Sequence, residues 1–274
     1  MRFPFACIII HVNRIGVSTW TLHRALKETF PNAPASLTTR GTAAKGTGEQ
    51  TLPEVLEDVL ELGYEHVELC HFHMAFGDKS PRMVLAKHGL RLGCLLIDEG
   101  DWTHPETGDR DAAWIAEWAK FAVDLGAQRI RVIGGKTRTD DAIKVTAERF
   151  AALHQAVPGI EISTENWFDV LANPDDVIEV FAQVPELKLC FDFGNWNGAD
   201  KYDRLAAIAH LATYSHAKCD FLPGTNKIAA EDYDKCLQIL AAVDYQGPYT
   251  AVNGGEGDPW KALAATAEYL DKRI

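Results

Sequence analysis

At 274 residues, 47% of them hydrophobic, the chain is long enough for two ordinary domains or for one α/β barrel with a full core. Its formal charge of −12 argues against a polyanion as main partner, because nucleic-acid binding draws its affinity from cationic side chains on phosphates. No run is long enough to span a bilayer, and the short apolar stretch at residues 3–12 lacks the cleavage pattern of a signal peptide. The chain therefore reads as cytoplasmic, with a small-molecule partner, no nucleic acid and no membrane, and with room for a homo-oligomer. Six scattered cysteines (Cys7, Cys70, Cys94, Cys190, Cys219, Cys236) form no Cys-x-x-Cys pair and read as reduced structural thiols.

Residues 1–14 form an N-terminal extension, and the first predicted strand covers 15–20. A Gly-, Thr- and Ala-rich insert follows at 30–50, long enough for a lid over a binding site. The apolar positions Leu52, Val55, Leu56, Val59, Leu60 and Leu62 fall largely on one stripe and predict a helix over 52–62, with Gly63 as its left-handed stop. Strands are predicted at 66–71 and 90–97, then a helix over 112–125 stopped by Gly126. After a strand at 129–134, Thr139 or Asp140 caps a helix running to 157. The strand at 160–166 precedes a helix whose N-cap and first residue are Asn173 and Pro174. Strands at 187–193, 214–218 and 248–252 alternate with helices over 203–213, 231–243 and 258–270. Eight strands alternating with helices predict a single-domain (β/α)8 TIM barrel over 15–274. An open doubly wound sheet would show a glycine fingerprint after its first strand, and nothing of the kind follows Trp20.

Three polar sites stand just after hydrophobic runs: Glu165 in the fifth strand, Asp192 in the sixth and His216 in the seventh. Parallel barrel strands bring such ends together at one mouth. Two carboxylates and an imidazole there suit one divalent metal ion of the Mn, Mg, Co or Zn type. Taken singly, each has a bland reading as a cap or a satisfied core residue. Jointly that reading weakens, since three adjacent strands place a metal-type donor at the same end and a carboxylate buried there without a cation or donor is costly. Lys218 and Asp220 add a cation and an acid at the same mouth. Glu68 and His71 leave the second strand toward substrate hydroxyls, with His71 favoured over His73 by strand alternation. Trp20, Trp102, Trp167 and Trp196 all lie just past strand ends and read either as a sugar-stacking wall or as packing under the helices. The run Gly254-Gly255-Glu256-Gly257 offers either a phosphate cradle or a tight turn, with Glu256 and Asp258 opposing an anion.

The chain resembles the xylose-isomerase-like TIM-barrel superfamily, the sugar phosphate isomerase/epimerase group that also includes ketose 3-epimerases, inosose dehydratases and endonuclease IV. The resemblance runs over 15–270 and is carried by Gly63-Tyr-Glu-His-Val-Glu-Leu69, Leu125-Gly-Ala-Gln-Arg-Ile-Arg-Val-Ile-Gly-Gly135, Thr164-Glu-Asn166, Phe191-Asp-Phe-Gly-Asn195 and His216-Ala-Lys-Cys-Asp220. It implies Glu165, Asp192 and His216 as ligands of one divalent ion, and a carbohydrate substrate. It also implies a fourth ligand, a Glu at the end of the eighth strand, where this chain has Val252 followed by Asn253. That departure puts a two-base epimerase in doubt and leaves Asn253, Glu256 or water as substitutes. The expected activity is a metal-dependent sugar or sugar phosphate isomerase/epimerase working through an enediolate. Glu165 is ligand and base, Lys218 polarises an oxygen, and Trp20, Glu68, His71, Asn195 and Asn253 bind substrate. A keto-sugar dehydratase or lyase on the same site and a degenerate, metal-free sugar-binding barrel are the alternatives. A DNA-repair nuclease of this fold needs more His and acidic ligands, one of them a His where Asn195 stands.

Overall fold

The computed structural model describes residues 14–31, 43–62, 64, 66–225, 227–254 and 257–274. In chain order the elements are β1 (Ile15–Ser18), β2 (Glu28–Thr29), β3 (Ala44–Lys45), α1 (Leu52–Glu61), β4 (His66–Cys70), α2 (Ser80–His88), β5 (Arg91–Ile97) and α3 (Gly108–Leu125). They continue with β6 (Arg129–Val132), α4 (Ala142–Ala156), β7 (Glu161–Glu165), α5 (Pro174–Gln183), β8 (Lys188–Asp192), α6 (Lys201–Ile208), β9 (Ala212–Lys218), α7 (Ala230–Ala241), β10 (Tyr249–Val252) and α8 (Pro259–Asp271). Eight strands close a barrel in the order β1-β10-β9-β8-β7-β6-β5-β4, every neighbouring pair parallel. The predicted TIM barrel is the observed fold.

Local chemistry explains the helices. Thr51 and Glu54 form a reciprocal capping box at the start of α1, whose buried face is Leu52, Val55, Leu56 and Val59. Asn173 accepts from the Asp176 amide with Pro174 at the first position of α5, as its sequence predicts. Gly126 closes α3 with φ of 80°, a conformation costly for other residues. Four details differ from the sequence reading. Helix α2 carries no clear apolar stripe, burying only Pro81 and Leu85, so periodicity does not reveal it. Helix α3 begins at Gly108 rather than 112, and α4 at Ala142 behind Asp141 rather than behind Thr139 or Asp140. Residues 212 and 213 belong to β9, because Ala212 pairs with Leu189 and Thr213 donates to the Leu189 carbonyl.

The barrel interior is polar where it approaches the C-terminal mouth. Strand alternation points Cys190 and Asp192 inward from β8 while Leu189 and Phe191 join the apolar shell under the helices. At the floor, Gly16 makes room for His66: a Cβ there would stand 2.0 Å from the imidazole Nε2. Of the expected extension and insert, residues 1–13 and 32–42 lie outside the described residues, as do Gly63 and Glu256. The insert's flanks are described. β2 and β3 pair antiparallel, and the Phe30 amide donates to the Phe72 carbonyl at 2.7 Å, which ties this ribbon to the loop after β4.

Candidate active site

The mouth opens on a cavity of about 740 Å³, with Glu165, Asp192 and His216 among its lining residues. All three are at least 96% buried. His216 Nδ1 lies 3.0 Å from Glu165 Oε2 and 3.7 Å from Asp192 Oδ2. Asp192 is aimed by its surroundings. Its Oδ1 accepts from the Gly194 and Asn195 amides, both at 2.7 Å, and its backbone exchanges two hydrogen bonds with the Asn166 side chain. The other oxygen is left to face His216.

On the far side of the imidazole, Glu68 Oε2 meets His216 Nε2 at 2.8 Å while Glu68 Oε1 accepts from the Thr250 hydroxyl at 2.7 Å. Burial alone would raise the Glu68 pKa, but the facing His216 and these hydrogen bonds hold it below the ordinary carboxylate value. An ionised Glu68 has no proton to give, so Nε2 is the donor and Nδ1 is the nitrogen turned to Glu165 and Asp192. Burial alone would lower the His216 pKa. The facing Cys190, Glu68 and Asp192 side chains reverse that and hold it well above the usual imidazole value.

This donor set fits a divalent cation. Glu165 Oε2 is fully buried and has no hydrogen-bond partner, since its approach to His216 lacks hydrogen-bonding geometry. An imidazole oriented through its other nitrogen by a carboxylate is the usual support of a metal-bound histidine. Ligand atoms of Glu165, Cys190 and His216 all lie within 4.8 Å of one another.

The other expected residues divide. Trp20, Asn195 and Lys218 line the cavity, and the Lys218 ammonium donates to Asn195 Oδ1 at 3.4 Å. Glu68 does not line it, because both its oxygens are committed to His216 and Thr250. His71 does not either: its ring is packed edge-on against Trp114 and Trp118, outside the barrel, with Nδ1 at 3.2 Å from the Leu96 carbonyl. Asn253 is buried beside β10, its backbone amide donating to Thr21 Oγ1, and Val252 takes its place in the cavity wall. Of the four tryptophans only Trp20 and Trp167 line the cavity. Trp102 and Trp196 turn into the shell and donate to the Gly134 and Leu171 carbonyls. As for the glycine run, Asp258 accepts from the Trp260 and Lys261 amides, so these donors of α8 are taken and unavailable to a phosphate.

Several lining residues escape sequence reasoning. Arg131, inward on β6, pairs with Asp98 at 2.5 Å and stands 3.7 Å from Glu165 Oε2. Its signal is Arg129-Ile-Arg131, two cations at period two inside an apolar strand. His23 lines the cavity and its Nδ1 lies 2.9 Å from His73 Nε2, while His73 Nδ1 lies 2.8 Å from Thr19 Oγ1. Thr19 and His23 follow β1, four places from β7 in either direction around the barrel, and His73 follows the neighbouring β4.

The xylose isomerase-like TIM barrel family model matches residues 56–273, and the chain belongs to that family. Among solved structures, it is similar to a xylose isomerase-like TIM barrel protein from Mycobacterium smegmatis in complex with magnesium (18% identity, 96% of this chain and 97% of that one, TM-score 0.64). It is also similar to a D-allulose 3-epimerase from Methylomonas sp. (14%, 95% and 98%, TM-score 0.68). A sugar phosphate isomerase/epimerase from Parabacteroides distasonis matches comparably (12%, 95% and 94%, TM-score 0.63). Among curated proteins no sequence matches the chain.

Proposed function

We propose that this protein is an isomerase of a small keto- or aldo-carbohydrate, dependent on one divalent ion held by Glu165, Asp192 and His216. The observation that carries the reading is the convergence of the buried Glu165 Oε2 and Asp192 Oδ2 on His216 Nδ1, at 3.0 and 3.7 Å, at the base of the cavity. A bound divalent ion supplies Lewis-acid polarisation of the substrate's oxygens. Glu165 acts as base, taking a carbon-bound proton next to the carbonyl and returning it to the neighbouring carbon, so the substrate passes through an enediolate. Lys218, steadied by Asn195, donates to the oxygen on which charge develops. On the opposite wall His23, with Nδ1 turned to His73, accepts the hydroxyl proton at Nε2 and hands it to the former carbonyl oxygen. Trp20 and Trp167 offer apolar faces to the C–H side of a sugar. Thr29 and Pro31, at the first flank of the 30–50 insert, line the same cavity.

Val252 in the wall where a second carboxylate is expected favours one-base chemistry, isomerisation or elimination, over C3 epimerisation. The test is incubation of metal-loaded protein with free ketoses and keto-sugars in heavy water. The expected result is aldose–ketose interconversion or loss of water, with deuterium entering from one face. Rapid C3 epimerisation with deuterium on the second face would refute the one-base reading. Failure of the wild-type protein to take up stoichiometric divalent metal on reconstitution, or full activity of the metal-free protein, would refute metal dependence.

A further inference from the structure

We infer that Cys190 is a ligand of this metal site and that its sulfur biases the site toward an ion of the zinc or cobalt class over magnesium. The inference rests on the metal-dependent reading of Glu165, Asp192 and His216 given above. Strand register supplies the geometry. Glu165 is paired with Cys190 across β7 and β8, whereas Asp192, one pleat further along, is paired with His216. Cys190 is thus level with Glu165, on the inward face it shares with Asp192. Ligand atoms of Glu165, Cys190 and His216 fall within 4.8 Å of one another, and all three residues are buried.

Two further observations point to an ion there. Glu165 Oε2 is buried and faces Arg131 at 3.7 Å and His216 Nδ1 at 3.0 Å without a hydrogen bond to either, so its lone pairs are free for an ion. The arc of wall that would hold a fourth oxygen donor contributes Val252, and Thr250 below it is already spent on Glu68. Cys190 fills out the donor set from the other side. On binding, the sulfur–hydrogen bond is replaced by a sulfur–metal bond and the proton leaves to solvent, with no change of oxidation state. Thiolate is a soft ligand that suits zinc and cobalt, while magnesium prefers oxygen and keeps its water.

The test is titration of the metal-free full-length protein with Co²⁺, following visible d–d bands and the near-ultraviolet thiolate-to-cobalt charge-transfer band. Both should saturate at one ion per chain. The charge-transfer band should vanish in Cys190→Ser and Cys190→Ala and persist in Cys94→Ser, another thiol buried in the barrel. Zinc affinity should fall at least about tenfold in Cys190→Ser, with magnesium affinity changing less. Saturating d–d bands without charge transfer in the wild-type protein would overturn the role of Cys190 and leave the Glu165–Asp192–His216 site standing. No cobalt binding at all would overturn both. The wild-type spectrum needs no variant, so a misfolded mutant cannot hide the answer.

Discussion

Removing the Glu68 carboxylate tests whether it orients His216 rather than binding substrate. Glu68 is 1% exposed, so solvent screening barely reduces what its two hydrogen bonds contribute. Glu68→Ala leaves the His216 Nε2 donor and the Thr250 hydroxyl without their partner. Each buried unsatisfied group costs about 1–3 kcal/mol, and breaking a buried ion pair from one side costs about 3–5 kcal/mol. The two routes agree on about 3–5 kcal/mol. For a chain of this size that lowers the melting temperature by roughly 5–9 °C. Glu68→Gln behaves differently, because its amide oxygen can accept from Nε2 while its NH₂ donates to Thr250. The loss is then the charge assistance of one bond, about 1 kcal/mol. In both variants Nδ1 is less well aimed and less basic, and metal affinity should fall about 10- to 100-fold. Thermal melts of metal-free protein and calorimetric titration with Zn²⁺ or Mn²⁺ measure the two effects. If Glu68→Ala melts with the wild type and binds metal as tightly, the Thr250–Glu68–His216 chain does not support the site.

Asp192→Asn should keep the Gly194 and Asn195 amide bonds through its remaining oxygen, so the loop stays ordered while metal content measured by elemental analysis falls well below one ion per chain. Arg131→Met leaves buried Asp98 unpaired and should cost about 3–5 kcal/mol in denaturant unfolding; because it also removes the cation 3.7 Å from Glu165, metal affinity should rise rather than fall. In metal-free protein the raised His216 pKa contributes stability that is complete below its unfolded value of 6.5 and is lost as pH rises through the folded value. The lowered Glu68 pKa contributes stability that is complete above its unfolded value of 4.5 and is lost as pH falls through the folded value, so melting temperature should be highest between 4.5 and 6.5. Limited proteolysis within 30–50 should slow when substrate is bound, and equal rates in both states would count against a lid.

Much of this was legible in the sequence because a barrel strand is simple to read. Its apolar run gives the strand, and its polar end gives the donor. That is why all eight strands, and the approach of Glu165, Asp192 and His216, follow from order alone. Partnership is another matter. Glu68 on β4 and His216 on β9 are three strands apart around the wall, and nothing along the chain says that they meet. His71 illustrates the limit of alternation: β4 ends at Cys70, so His71 turns with a short 3-10 helix into the tryptophans of α3. Cys190 and Arg131 were hidden for a different reason. Each sits inside an apolar run, where a thiol passes for a small hydrophobe and an arginine for an exception.

The same interior accounts for how so many charges share a buried space. Five carboxylates, Glu68, Asp98, Glu99, Glu165 and Asp192, stand against Arg131, Lys136, Lys218 and a protonated His216, which leaves one negative charge in excess. A divalent ion bringing two positive charges replaces the proton on His216 Nδ1. If Cys190 also gives up its proton, the exchange is two positive charges for two, and the net charge of the site does not change. An isolated buried charge is expensive, whereas an exchange at constant charge requires no new compensation from the protein. The polar barrel interior, unusual beside its apolar shell, is therefore already balanced for the ion. The departure of Val252 from a carboxylate keeps that balance, since a further acid in the wall would leave a second negative charge in excess.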